Sequence, residues 1–305
     1  MDVFVFGSIS MDLTTYVPTL PRLGETLRGS AYITVPGGKG DNQAVAAARM
    51  GAETAFIGRV GEDQFGEEVK RIVSGEHVDV SGLIKDPEHD TGLAVISVDA
   101  NADNAIIIIS GANMAMDDSD LTRAEVMMSK TKVVMLQLEI PVPISVAAAK
   151  MAKDKGALVV FDPAPASSLP DEAYRYIDYI TPNEVETEAL VGFYPQDEAT
   201  AGKAAKWFRE RGVGAAIIKL GAKGVYFEDA NVSGFIPAFK VDAIDTVAAG
   251  DAFNGGLAVA LSEGKPLSEA VRWAAAAGAM ATTKKGAMPS MPYREEVIAL
   301  LEKQK

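Results

Sequence analysis

The chain has 305 residues, 48% of them hydrophobic and 23% charged, with a formal net charge of −13. That is enough apolar material for about two domains, or for one large α/β domain with an addition, and the acidic balance without any Lys/Arg run argues against a nucleic-acid partner. There is no cysteine, and the only histidines are His77 and His89, which excludes disulfides and thiolate chemistry and argues against a Ser-His-Asp triad or a multi-histidine metal site.

The chain opens on an apolar strand, Val3–Phe6, without a basic leader. No apolar run reaches the length that a bilayer needs, so a soluble, cytoplasmic protein with no membrane partner is expected. Residues Leu13–Val35 carry prolines, glycines and short β-like runs but no helix. A glycine-dense loop at Gly37–Gly40 then runs into a helix at Asn42–Met50, followed by a strand at Thr54–Gly58 and a helix at Phe65–Ser74. Residues Gly92–Ser110 read as a hairpin: Leu93–Asp99, a polar turn at Ala100–Asp103, then Asn104–Ser110. The run Ala105–Ile109 is apolar on both faces and needs a cover; a dimerising lid and an ordinary edge hairpin account for it equally.

Further along, strands are expected at Val133–Gln137, Leu158–Asp162, Tyr179–Thr181 and Ala215–Lys219. Helices are expected between them at Val142–Lys155, Asn183–Val191 and Glu198–Arg211. Two β-rich pieces, Gly224–Glu228 and Ser233–Ile236, precede a helical end at Gly250–Ser262, Leu267–Thr283 and Tyr293–Lys303. This alternation predicts an α/β fold: a doubly wound, mostly parallel sheet with helices on both faces, and a small β-sheet beside it. The expected division is residues 1–12, 36–91 and 111–305 for the large domain, and 13–35 and 92–110 for the small sheet.

Ligands of such sheets bind beyond the carboxyl ends of the strands, and three segments fall there. In Gly37-Gly38-Lys39-Gly40-Asp41-Asn42-Gln43-Ala44 the glycines allow close backbone approach to a ligand, though no GxxxxGK[ST] phosphate loop occurs. In Thr181–Glu186 the spacing of Asn183 and Glu186 is that of a capping box, and a place near phosphate and the water shell of Mg²⁺ is the second reading. In Asp245-Thr246-Val247-Ala248-Ala249-Gly250-Asp251 small residues lead into a helix whose first N–H groups are free and carry partial positive charge, an anion hole that needs no basic side chain. Asp251 stands at that helix start, where a carboxylate can take a proton from a substrate hydroxyl in phosphoryl transfer.

The first and third segments resemble the two signatures of the PfkB family of carbohydrate kinases, nearest to its ribokinase-like branch. The resemblance spans nearly the whole chain, through Gly7-Ser8-Ile9 and Asp12, Pro21–Thr26, Gln137-Leu138-Glu139, Asp162–Pro165, Thr181–Glu186, Lys219-Leu220-Gly221 and Lys285–Ser290. It implies an ATP-dependent kinase acting on the terminal hydroxymethyl of a furanose-type sugar, with D-ribose expected. It further implies that Asp251 is the catalytic base and that Ala248, Ala249 and Gly250 form the anion hole. Ser10, Asp12, Gly38, Lys39, Asn42 and Glu139 match sugar positions. Asn183, Lys219, Gly221 and the region around Ala274 match the nucleotide site, and Glu186 the residue tied to Mg²⁺. Asp245, Val247, Thr282, Lys285 and Ser290 match a monovalent-cation site, usually K⁺, and the small sheet matches a lid that also forms a homodimer contact. Two positions depart from ribokinase-type proteins, which tend to have asparagine at Ser10 and alanine at Asp41. Deoxyribose, another pentose or a nucleoside therefore stays open as acceptor, as does a non-catalytic sugar-binding protein derived from a kinase.

Overall fold

The computed structural model describes residues 1–101 and 103–304. In chain order its elements are β1 (Val3–Phe6), β2 (Ser10–Tyr16), β3 (Ala31–Gly37), α1 (Lys39–Arg49), β4 (Thr54–Gly61), α2 (Gln64–Gly75), β5 (Asp79–Asp86), β6 (Gly92–Val98), β7 (Asn104–Ile109), α3 (Asp118–Met128), β8 (Val133–Leu136), α4 (Val142–Asp154) and β9 (Leu158–Phe161). They continue with β10 (Tyr179–Ile180), α5 (Glu184–Val191), α6 (Glu198–Glu210), β11 (Ala215–Lys219), β12 (Gly224–Glu228), β13 (Ser233–Pro237), α7 (Ala249–Ser262), α8 (Leu267–Ala281) and α9 (Arg294–Lys303).

Nine strands form one sheet in the order β13-β12-β11-β10-β9-β8-β1-β4-β5. Its pairs are parallel from β5 to β11 and antiparallel for β11–β12 and β12–β13. Strand side chains alternate between two cores. Val3 and Val5 pack on one face with residues of α1, α7 and α8, while Phe4 and Phe6 pack on the other with residues of α3, α4 and α6. Burial on both faces explains why these strands are unbroken apolar runs. A second sheet of four strands runs β3-β2-β6-β7. It begins at Ser10 and reaches Gly37, two to three residues beyond the segments expected at each end, because β2 and β3 stay paired through Ser10↔Gly37. Where β1 passes into β2, the buried Asn113 clamps Ile9, accepting its N–H at 3.0 Å and donating to its carbonyl at 2.8 Å.

Strand β5 and helix α3 have no counterpart in the sequence reading. Strand β5 holds Gly82 and lacks both a continuous apolar run and a strict alternation of buried and exposed residues, which weakens its strand signal. Helix α3 starts from a capping box between Asp117 and Asp120, a spacing visible in the sequence but not used there. The hairpin turn expected at Ala100–Asp103 includes Ala102, which lies outside the described residues.

Close approach of α1 to β1 positions the site. A Cβ on Gly40 would lie 2.5 Å from the Ser8 carbonyl oxygen and 2.7 Å from the Ser8 nitrogen, so only glycine lets the helix start this near the strand end. Gly40→Ala is expected to cost about 1–3 kcal/mol through this clash with backbone. Thermal unfolding checks it, and an unchanged melting temperature contradicts the packing described.

Candidate active site

The site forms where the carboxyl ends of β1, β8, β9 and β11 meet the first turns of α1 and α7. Helix α7 begins at Ala248, whose φ of 58° is left-handed, and no side chain caps the helix. Small residues leave the first N–H groups of this end uncovered, with the helix dipole behind them. Asp251 in that first turn is 4% exposed. Its Oδ2 accepts from Asn42 Nδ2 at 3.2 Å and its Oδ1 from Gln43 Nε2 at 3.0 Å.

Gln43 is fixed in turn. Its Oε1 accepts from Gln137 Nε2 at 2.7 Å, and its Nε2 also donates to Asp162 Oδ2 at 3.0 Å. This amide chain settles which way Gln43 points and so locks the Asp251 rotamer. Burial pushes the Asp251 carboxyl up to about 6, Lys39 opposes that rise, and Asp162 adds to it. The result is a carboxylate at neutral pH that is a better base than an exposed aspartate.

Lys39 is half-buried among carboxylates. Burial pulls its ammonium down, but Asp251, Asp162, Glu139 and Glu186 together hold it above the usual lysine range. Its backbone N–H donates to Glu139 Oε2 at 2.8 Å, and Ser8 Oγ donates to the same oxygen at 2.6 Å. Lys219, at the end of β11, lies 3.5 Å from Asp162 Oδ1, and its Nζ is 3.4 Å from where a Gly250 Cβ would stand. A second ammonium thus sits directly at the open end of α7.

Asp12 on β2 faces the same space. Burial first, then Glu139 and Asp251, pushes its carboxyl up to about 6. Ser10, half-buried, heads β2 opposite Gly37. Asn183 and Glu186 make the capping box: the N–H and the Nδ2 of Asn183 donate to the two Glu186 oxygens at 2.7 and 2.9 Å, and Glu186 N–H donates to Asn183 Oδ1 at 2.9 Å. Glu186 is also 8% exposed, and burial raises its carboxyl while Lys219 opposes the rise, so the cap belongs to the same charged cluster. Gly221 lies exposed in the turn after β11.

Asp245 ties two loops together. Its Oδ1 accepts from Val247 N–H at 3.0 Å, its Oδ2 from Gly286 N–H at 2.9 Å, and its own N–H donates to the Thr282 carbonyl at 3.1 Å. Asp245, Val247, Thr282 and the turn holding Lys285 are thereby brought together, and Ser290 is fully buried just beyond, bonded to the Ala287 carbonyl at 2.7 Å. Ala274 is sealed between α7 and α8, with its Cα 3.3 Å from where a Gly256 Cβ would lie. Sequence reasoning gave no role to Ser8, Gln43, Gln137 or Asp162, although all four stand at strand ends or in the glycine loop, where polar residues in apolar surroundings are the available signal.

A buried carboxylate at an uncapped helix end, with two ammonium groups beside it, on a doubly wound sheet, fits a phosphotransferase acting on an alcohol. The family model for pfkB family carbohydrate kinase matches residues 1–294, and the chain belongs to that family. It is similar to the ribokinase of Haemophilus influenzae, with 43% identity over 98% of this chain and 97% of the relative. It is also similar to the deoxyribokinase of Salmonella typhi, with 34% identity over 97% of each chain. The fold superposes on Arabidopsis thaliana ribokinase complexed with ribose and ATP with a TM-score of 0.92, 33% identity, and coverage of 99% of this chain and 98% of the other.

Proposed function

We propose that the chain transfers the γ-phosphoryl group of ATP to the terminal hydroxymethyl of D-ribose, giving ribose 5-phosphate. The observation that carries this reading is Asp251, buried, raised to about 6 and aimed by Asn42 and Gln43 at the open N-terminus of α7. Asp251 takes the proton of the attacking hydroxyl. The hydroxyl oxygen bonds to the γ-phosphorus as the bond to the β-γ bridging oxygen breaks, and ADP leaves. The backbone of Ala248, Ala249 and Gly250, with Lys219, meets the charge of the transferred group. Asp12, Lys39, Asn42 and Glu139, with the Gly38 backbone and Ser10, hold the sugar. Asn183, Lys219 and Gly221 lie towards the nucleotide.

Among the described residues no cluster of three or more histidine, aspartate or glutamate side chains stands ready for a metal. Both Glu186 oxygens already accept from Asn183. The donors therefore suit a Mg²⁺ that arrives on the phosphates of ATP and meets Glu186 through water, where it neutralises phosphate charge. The oxygens of Asp245, Val247, Thr282, Lys285 and Ser290 suit a hard monovalent cation such as K⁺, which would stiffen the loop leading into the anion hole.

The four-stranded sheet is read as the lid that closes over the sugar and excludes water. Its edge strand β7 exposes Ile106, Ile107 and Ile108 by 53, 65 and 72%, and a second copy of the chain pairing there through the lid would cover them. No helix among the described residues is long and apolar enough to cross a membrane.

A second reading, 2-deoxyribose as acceptor, is favoured by the deoxyribokinase relative. ADP release is measured with ribose, 2-deoxyribose and nucleosides, with K⁺ or Na⁺ present. The expected result is the highest kcat/KM with ribose and a faster reaction in K⁺. A higher kcat/KM with deoxyribose or a nucleoside overturns the choice of sugar, and equal rates in K⁺ and Na⁺ overturn the cation site.

A further inference from the structure

Asp162 follows β9 directly and is 2% exposed. Its N–H donates to the Leu136 carbonyl at 2.9 Å, and its own carbonyl accepts the Ala164 N–H at 2.8 Å, so its backbone is fixed on both sides. A buried carboxylate is costly unless its oxygens are paired. Here each oxygen is paired, and each with a different part of the site. Oδ2 accepts from Gln43 Nε2 at 3.0 Å, and that same amide nitrogen, which has two hydrogens, also donates to Asp251 Oδ1 at 3.0 Å. Oδ1 lies 3.5 Å from Lys219 Nζ.

Lys219 leads back to the helix that carries Asp251. Its Nζ is 3.4 Å from where a Gly250 Cβ would stand. A ring of contacts thus runs from Asp251 through Gln43, Asp162 and Lys219 to Gly250, the chain neighbour of Asp251. The backbone of Lys219 is fixed too, its N–H donating to the Pro182 carbonyl at 2.9 Å. Its side chain is a flexible four-carbon stem, so the fixed backbone does not decide where the ammonium stands. Glu186 is the competing carboxylate: Lys219 opposes the rise of its carboxyl, but both Glu186 oxygens already accept from Asn183. Asp162, mounted on the sheet, is the partner that draws the ammonium to the open end of α7.

We propose that Asp162 is a positioning residue for phosphoryl transfer: one oxygen holds the Lys219 ammonium at the open end of α7 while the other, through Gln43, fixes the Asp251 carboxylate, so that the base and the cation share one rigid mount. The inference rests on the reading of Lys219 as a group that meets the transferred phosphoryl.

The test compares Asp162→Asn, Lys219→Met and the double variant Asp162→Asn/Lys219→Met in steady-state kinetics with ribose and ATP. Asp162→Asn keeps the shape and one acceptor but loses the charge that holds Lys219. It is expected to lower kcat/KM for ATP about ten- to a hundredfold while the KM for ribose stays put. The loss runs through Lys219, so the double variant should be no slower than Lys219→Met alone. The pH profile reads the charge separately. Asp251 is faced by Lys39 and Asp41 from α1, Asp12 from β2, Glu139 beyond β8 and Asp162, and after burial Asp162 is the strongest influence that raises its carboxyl. In Asp162→Asn the acid limb of kcat/KM should therefore move to lower pH by about one pH unit. Additive losses in the double variant, a ribose KM that rises along with the ATP KM, or an acid limb that stays in place overturns the proposal. Where Asp162→Asn does not fold, Lys219→Met decides alone: a loss in kcat/KM for ATP with an unchanged ribose KM supports the proposal, and an unchanged kcat/KM for ATP overturns it, because Asp162 then has nothing to position. Absence of ADP release with ribose in the wild type removes the kinase reading itself; normal wild-type turnover with an unaffected Asp162→Asn removes only the role of Asp162.

Discussion

Replacing Asp251 by asparagine is expected to lower kcat by about a hundred- to ten-thousand-fold, the range that a positioned general base supplies, with the affinities for ribose and ATP nearly unchanged. The geometry sets this split. Asparagine has the same shape and can still accept one of the hydrogen bonds from Asn42 and Gln43, but its amide cannot take a proton. The anion hole is backbone and survives the change. Steady-state kinetics and direct binding measurements check both halves, and near-normal kcat removes Asp251 from the role of base.

Stability should move the other way. The Asp251 carboxyl is raised from 3.8 to about 6 in the folded chain. A raised acid contributes stability that is fully present below its unfolded value and is lost as pH rises through the folded one. Above about pH 6 the buried carboxylate is thus a cost, and the ligand-free Asp251→Asn protein is expected to melt above the wild type at pH 8 but not at pH 4. Activity runs opposite to stability, because only the ionised form is a base: kcat/KM should fall as pH drops through about 6.

Lys39→Met is the second large effect. Lys39 is the cation shared by Asp251, Asp162, Glu139 and Glu186, and its influence on Asp251 is the largest that opposes burial. Without it the acid limb of kcat/KM should move to higher pH by about one to three pH units, the size of effect that a nearby opposite charge exerts. Turnover at pH 7 should fall and be partly recovered at pH 9. The pH profile of the variant is the check, and an unmoved acid limb contradicts the electrostatic role given to Lys39.

Both effects depend on contacts that the sequence showed only in part. Buried parallel strands were legible because their runs are apolar on both faces, as in Val3–Phe6 and Ala215–Lys219. Asp251 at an uncapped helix start was legible because small residues and an acid at a helix start are local features. Strand β5 was not, since Gly82 interrupts it and its residues neither run continuously apolar nor alternate strictly. The amide chain Gln137–Gln43–Asp162 was not, since its members stand 94 and 119 residues apart and only the sheet brings them together. Asp41 was the reverse case: visible as a departure in the sequence, but placed only by the fold, which turns it inward towards Gly38 rather than out on the helix.

The most direct test of the account is the product formed from ribose and ATP, read by phosphorus and carbon NMR for the wild type and for Asp251→Asn. The account predicts ribose 5-phosphate, made in proportion to ADP by the wild type and barely at all by the variant. A phosphoryl group on any other ribose oxygen, or equal product from the two proteins, contradicts it.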